Sequence, residues 1–148
     1  MKMSNLFFML LILYSECSIY EMIATFEEEP MDECCINWDF EFPFDSCTQI
    51  DGEDSTFKIT WSSDLDFTNA QNMFEGCSEL TYLDASNFDT SHITDMSGMF
   101  KDCTNLKSIN LNNFNTELVT TMESMFSGCE SLESLDLSNF NNYQLTKC

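Results

Sequence analysis

The Met-Phe pair at Met73-Phe74 returns at Met99-Phe100 and again at Met125-Phe126, each time 26 residues on. The same spacing links Cys77, Cys103 and Cys129; Leu80, Leu106 and Leu132; Leu83, Ile109 and Leu135; Ala85, Leu111 and Leu137. It also links Asn87, Asn113 and Asn139; Phe88, Phe114 and Phe140; and Phe67, Ile93, Val119 and Leu145. A chain with this period is one small unit written three times, and no unit of that size buries its own Leu, Met and Phe. Only stacking against neighbouring units gives those residues a core, so the period restricts the chain to a stack of coils.

Within one coil, Leu80-Thr-Tyr-Leu83-Asp-Ala85-Ser-Asn87-Phe88 alternates as a short strand, with Leu83 and Ala85 inward and Tyr82 and Asp84 outward. The period predicts the same strand at 107–111 and 133–137. Met96, Met99, Phe100 and Cys103 fall at i, i+3, i+4 and i+7, which predicts a helix of about two turns. Thr68, Thr94, Thr120 and Thr146 stand at its start as N-caps, with Gln71 and Glu123 at the capping-box distance from Thr68 and Thr120. Gly76 and Gly128 suit its exit. The expected architecture is an α/β repeat solenoid over residues 69–148, each 26-residue coil a short strand plus a short helix. The asparagine column would supply amides to main-chain groups of its own and neighbouring coils. Along the columns, Glu75 meets Lys101, Lys107 meets Glu133, and Asn110 separates Asp84 from Asp136, so no acid faces an acid across a junction.

Residues Met96-Ser-Gly-Met99-Phe100-Lys-Asp-Cys103-Thr-Asn-Leu106-Lys-Ser-Ile109-Asn-Leu111-Asn-Asn113-Phe114-Asn-Thr116 resemble the repeat of the BspA-like leucine-rich repeat surface proteins. Equally close matches start at Met122 and, with Ala70 in place of the first Met, at Ala70, so the resemblance covers about residues 61–148. It implies a leucine-rich solenoid displayed on microbial surfaces and used in adhesion, and it brings no catalytic residues with it. In such a solenoid the outward strand positions form a protein-binding face. Here these are Tyr82, Asp84, Ser86, Ser108, Asn110, Asn112, Ser134, Asp136 and Ser138. The expected partner is a protein or cell-surface ligand.

The rest of the chain is not repetitive. Residues 1–18 carry Lys2, an apolar run from Leu6 to Tyr14, and small or polar residues after it, the pattern of a cleaved signal peptide. That run is too short to span a bilayer, so an extracellular or cell-surface protein without a stable membrane span is expected. Residues 19–69 hold 14 acids against Lys58 alone. Trp38, Phe40 and Phe42 alternate with acids there, predicting a strand that Pro43 ends; segment 19–68 reads as an acidic, aromatic cap on the first coil. At the other end the columns of the third coil have no cap. The expectation is a longer array, or an end covered by a partner or by self-association with a second copy.

Charge removes one class of function. With 26 Asp and Glu against 5 Lys and a net charge of −21, the chain has no basic face to displace counterions from nucleic acid. It is no disordered polyelectrolyte either, because 43% of its residues are hydrophobic and 14% aromatic. Of the eight cysteines, Cys77, Cys103 and Cys129 occupy an apolar column and read as core. Cys34 or Cys35 is expected to pair with Cys47 as a disulfide in an exported segment. CxxC spacing is absent and His92 is the single histidine, so no metal site, cofactor or catalytic centre is expected. The alternative reading is a calcium-dependent acidic structural protein, with Asp51, Glu53, Asp54, Asp64 and Asp66 as oxygen donors.

Overall fold

The computed structural model describes residues 19–26, 44–49, 56–62 and 68–140. They form a five-stranded mixed sheet: β1 (Ile19–Phe26), β2 (Phe44–Gln49), β3 (Thr56–Ser62), β4 (Leu80–Asp84) and β5 (Ser108–Asn110). The strand order is β2-β3-β1-β4-β5. The first three strands pair antiparallel, β1 is antiparallel to β4, and β4 and β5 are parallel. The strand of the first coil therefore has β1 on one side and the strand of the second coil on the other. Alternation sorts the faces. Met22, Ala24, Phe26, Ile59 and Leu83 point into one core with the coil residues, while Thr25, Tyr82 and Asp84 share the opposite face.

The α/β solenoid expectation is wrong. Among the described residues there is no helix, and the segments read as helical are successive tight turns. Their backbone accounting explains the preference. From Ala70 to Gly76, alternate N–H groups leave the coil: Ala70 donates to Asp95, Asn72 to Ser97, Phe74 to Met99 and Gly76 to Lys101, at 2.8–2.9 Å. The intervening donors stay local, Met73 to Ala70, Glu75 to Asn72 and Cys77 to Phe74, and Gln71 N–H donates to the Asn69 side chain. Every donor from 70 to 77 is thus satisfied, as buried backbone requires. The second coil repeats the scheme onto the third, with Met96, Gly98, Phe100 and Asp102 donating to Thr121, Glu123, Met125 and Ser127.

This winding needs a left-handed residue twice per coil. Asn72, Gly98 and Ser124 form one column with φ of 56–61°, and Gly76, Asp102 and Gly128 another with φ of 59–79°. Each is the third residue of a four-residue turn closed by an i to i+3 hydrogen bond, the type II pattern. Gly76 and Gly128 are turn residues and not helix exits. The threonines are not N-caps either: Thr94 Oγ1 donates to the Thr68 carbonyl and Thr120 Oγ1 to that of Thr94, so their hydroxyls tie coil to coil. The local capping falls one residue later, where Asn69, Asp95 and Thr121 accept from the N–H two residues on. The strand expected at 133–137 is also absent; Glu133 N–H donates to the Lys107 carbonyl, but no ladder follows.

The side-chain columns stack as the backbone does. Phe74, Phe100 and Phe126 lie 5.4 Å apart, nearly parallel, and Phe88, Phe114 and Phe140 about 6 Å apart. Asn113 Nδ2 donates to the Ser86 carbonyl and Asn139 Nδ2 to that of Asn112, a ladder between coils. Lys101 Nζ lies 2.5 Å from Glu75 Oε1, the charge match its column implied. Thr90, 1% exposed, donates through Oγ1 to the Asn115 carbonyl and accepts from the Asn115 N–H. Thr90→Val should cost about 2 kcal/mol, because a same-shape side chain strands both Asn115 groups. Chemical denaturation checks this; a midpoint within error of the parent would contradict it.

Candidate recognition face

Register brings four of the nine expected face residues together. Tyr82 faces Ser108 and Asp84 faces Asn110 across the parallel β4–β5 pair. Asp84 Oδ1 is the hub: it accepts from the Ser86 N–H at 3.0 Å and from Asn110 Nδ2 at 2.9 Å. Asn110 Oδ1 then accepts from Asn112 N–H, and in the third coil Asp136 Oδ1 accepts from Ser138 N–H. Ser86, Asn112 and Ser138 thus act first through their backbones, fixing the carboxylate or amide of each coil at the strand exit. These bonds hold the Asp136 carboxyl below the ordinary carboxylate range, the Ser138 N–H contributing most. Ser134, Asp136 and Ser138 are exposed but belong to no strand, so the third coil continues the row without continuing the sheet.

Tyr82 is half-buried in the middle of this face. Desolvation, reinforced by the Asp84 charge, pushes its phenol above the ordinary tyrosine value, so it stays a neutral donor at physiological pH. Beside it stands Thr25 of β1, whose Oγ1 is 3.3 Å from Thr56 Oγ1 of β3. Thr81 Oγ1 donates to the Thr25 carbonyl and so fastens β1 to the first coil. The repeat-based reading missed Thr25, because it looked for the face only inside the coils. The signal was the β-branched, alternating run Ile19–Phe26, which continues the sheet beyond the first coil.

Several expectations fall outside the described residues: the leader at 1–18, the strand at 38–42, the calcium donors at 51–54 and 64–66, and Cys34 and Cys35. Cys47 lies in β2, opposite Ile59. Among the described residues no three His, Cys, Asp or Glu side chains are grouped to hold a metal ion. His92 is exposed, with Nδ1 3.1 Å from Ser91 Oγ.

The thiol column is free of disulfides, and its second and third thiols each donate back one coil: Cys103 Sγ to the Phe74 carbonyl and Cys129 Sγ to that of Phe100, both at 3.1 Å. Cys77 and Cys103 are buried, whereas Cys129 is half-buried and its burial pushes its thiol pKa up. In the folded chain, iodoacetamide should label Cys129 before Cys77 and Cys103. Its labelling should also rise at higher pH than that of a free thiol, because only the thiolate attacks. Mass mapping after a short pulse reads both; equal labelling of all three would contradict the packing.

Residues 68–148 match the protein family described as Mycoplasma protein of unknown function, DUF285. No curated protein and no solved structure matches the chain.

Proposed function

The chain belongs to the DUF285 family of proteins of unknown function, and from its geometry we propose that it is a non-catalytic recognition module that binds a protein or cell-surface ligand. The observation that carries this reading is the outer face of the sheet. Thr25, Tyr82, Asp84, Ser108 and Asn110 lie side by side on three adjacent strands, and the polar groups at the strand exit are held by one hydrogen bond or more per coil. A face ordered in advance loses little side-chain freedom on binding. Tyr82 supplies an aromatic anchor with a polar tip, the residue type most often found at the energetic centre of interfaces.

The resemblance to BspA-like surface proteins and the leader-like segment 1–18 support action outside the cell or on its surface, in adhesion. The acidic balance of the chain favours a ligand with exposed Lys or Arg. Tyr82→Ala and Asp84→Lys test the reading in a solid-phase assay against matrix proteins and whole cells. Binding should fall at least tenfold in each, about 1.4 kcal/mol or more. Unchanged binding by both variants would remove this face from consideration.

A further inference from the structure

We infer that Asp84 and Ile23 on the sheet face form a subsite that takes a lysine side chain of the protein ligand and discriminates it from arginine. The inference rests on the recognition reading above and names the group that the face selects. Its first ground is that only half of the carboxylate is free. Asp84 Oδ1 already accepts from the Ser86 N–H at 3.0 Å and from Asn110 Nδ2 at 2.9 Å, one donor for each lone pair. Oδ2 has no hydrogen-bond partner among the described residues, on a side chain that is half-buried. An arginine fork draws its strength from two parallel bonds, one to each carboxylate oxygen, and Oδ1 has no lone pair left for the second. An ammonium is a compact charge for which one oxygen suffices. The strand-exit network therefore keeps what lysine uses and withholds what arginine uses.

The second ground is Ile23. Met22, Ala24 and Phe26 of β1 are buried in the core, whereas Ile23 is half-buried on the opposite face and stands directly across from Asp84. The Cβ atoms of such a cross-strand pair lie about 5 Å apart. Tyr82, two residues before Asp84, shares the face beside Thr25. A branched apolar side chain next to a carboxylate oxygen fits an occupant with a hydrocarbon stem and a cationic head, as lysine is built. A bare metal ion would leave Ile23 unused, and among the described residues no group of three acids, cysteines or histidines is placed to hold one.

Register makes the site single. β1 flanks the first coil only; the second coil carries Asn110 at the position of Asp84, and Asp136 of the third belongs to no strand. Lys58 is the one basic residue in the five strands. It occupies the β3 position opposite Ile23, two strands or about 10 Å from Asp84, and is diagonal to Glu21 at about 7–8 Å. The sheet thus places its own cation nearer another carboxylate and leaves Oδ2 to a ligand.

The test titrates the isotope-labelled chain with two end-blocked peptides of equal charge, Gly-Gly-Lys-Gly-Gly and Gly-Gly-Arg-Gly-Gly. The lysine peptide should shift the Asn110 side-chain amide, the Ser86 amide and the Ile23 methyl groups saturably, and should bind about tenfold more tightly than the arginine peptide. Asp84→Asn should abolish these shifts and Ile23→Ala should weaken binding, with the Phe100 amide unmoved in both as a check on the fold. Equal binding by the two peptides would mark general attraction to an acidic chain and overturn the inference, as would shifts that persist in Asp84→Asn. A dimer of the chain alone that Asp84→Asn dissolves, seen by sedimentation, would give the site to a second copy and overturn it too. The recognition reading fails separately: loss of matrix and cell binding in Tyr82→Ala without a lysine preference keeps the face and discards the subsite, whereas a lysine preference with that binding intact in Tyr82→Ala and Asp84→Lys discards the reading.

Discussion

Phe100→Ala should lower stability by about 4 kcal/mol, the largest loss expected from a side-chain truncation among the described residues. Phe100 is fully buried and stacks on Phe74 and Phe126, each at 5.4 Å. Truncation therefore leaves a void between two rings that cannot close on each other, because inter-coil hydrogen bonds on both sides fix the spacing. A small domain has about 5–15 kcal/mol in total, so the variant should be marginal at room temperature and unfolded on modest warming. Phe126→Ala makes the comparison informative. Its ring is half-buried and stacks on one neighbour among the described residues, so about half the loss is expected. Urea unfolding followed by far-ultraviolet circular dichroism separates the two; equal midpoints would mean that the phenylalanine stack does not carry the core.

Gly98→Val should be nearly as severe, about 3 kcal/mol or more, for a backbone reason and a steric one together. The residue sits at φ of 61°, where a β-branched side chain is a genuine outlier. Its Cβ would also fall on Asn72 Oδ1. Gly76→Ala isolates the first effect, since nothing lies within 4 Å of its added Cβ at φ of 78°. About 1 kcal/mol is expected there. The pair Asn72→Gly with Gly98→Ala should be more stable than Gly98→Ala alone, because removing the Asn72 amide empties the space the methyl needs. A double-mutant cycle measures this; strictly additive effects would show that the two residues do not share that space.

The columns were legible in the sequence because burial follows register whatever the local winding. Leu83 and Ala85 are fully buried, the phenylalanines stack, and Glu75 meets Lys101 as the 26-residue spacing implied. What the spacing did not disclose was the winding itself. Met96, Met99, Phe100 and Cys103 share one side of a two-turn helix, but they also share the inside of consecutive turns that close every three residues. The decisive residues were the polar ones between them. Gly98 inside the predicted helix costs about 1 kcal/mol relative to Ala, and Asn72, Asp102 and Gly128 recur at positions that favour left-handed backbone. A helix of two turns is also marginal by itself, so satisfying alternate donors from the next coil prevails. One of the five residues of the recognition face was missed for a different reason. Thr25 belongs to a strand outside the repeat, and only the antiparallel pairing of β1 with β4 brings it beside Tyr82.

The hydrogen-bond rows between coils do not all run the same way. Along the turns, Asn72, Phe74 and Gly76 donate forward to the following coil, whereas Thr94, Lys107 and Ser131 donate back to the preceding one. The forward row of the turns is the larger, with four donors at each junction, so the opposed peptide dipoles cancel only in part. An α-helix, whose bonds all point one way, accumulates a charge imbalance between its ends; here each added coil brings donors of both directions, and the imbalance per coil is smaller than the forward row alone would give.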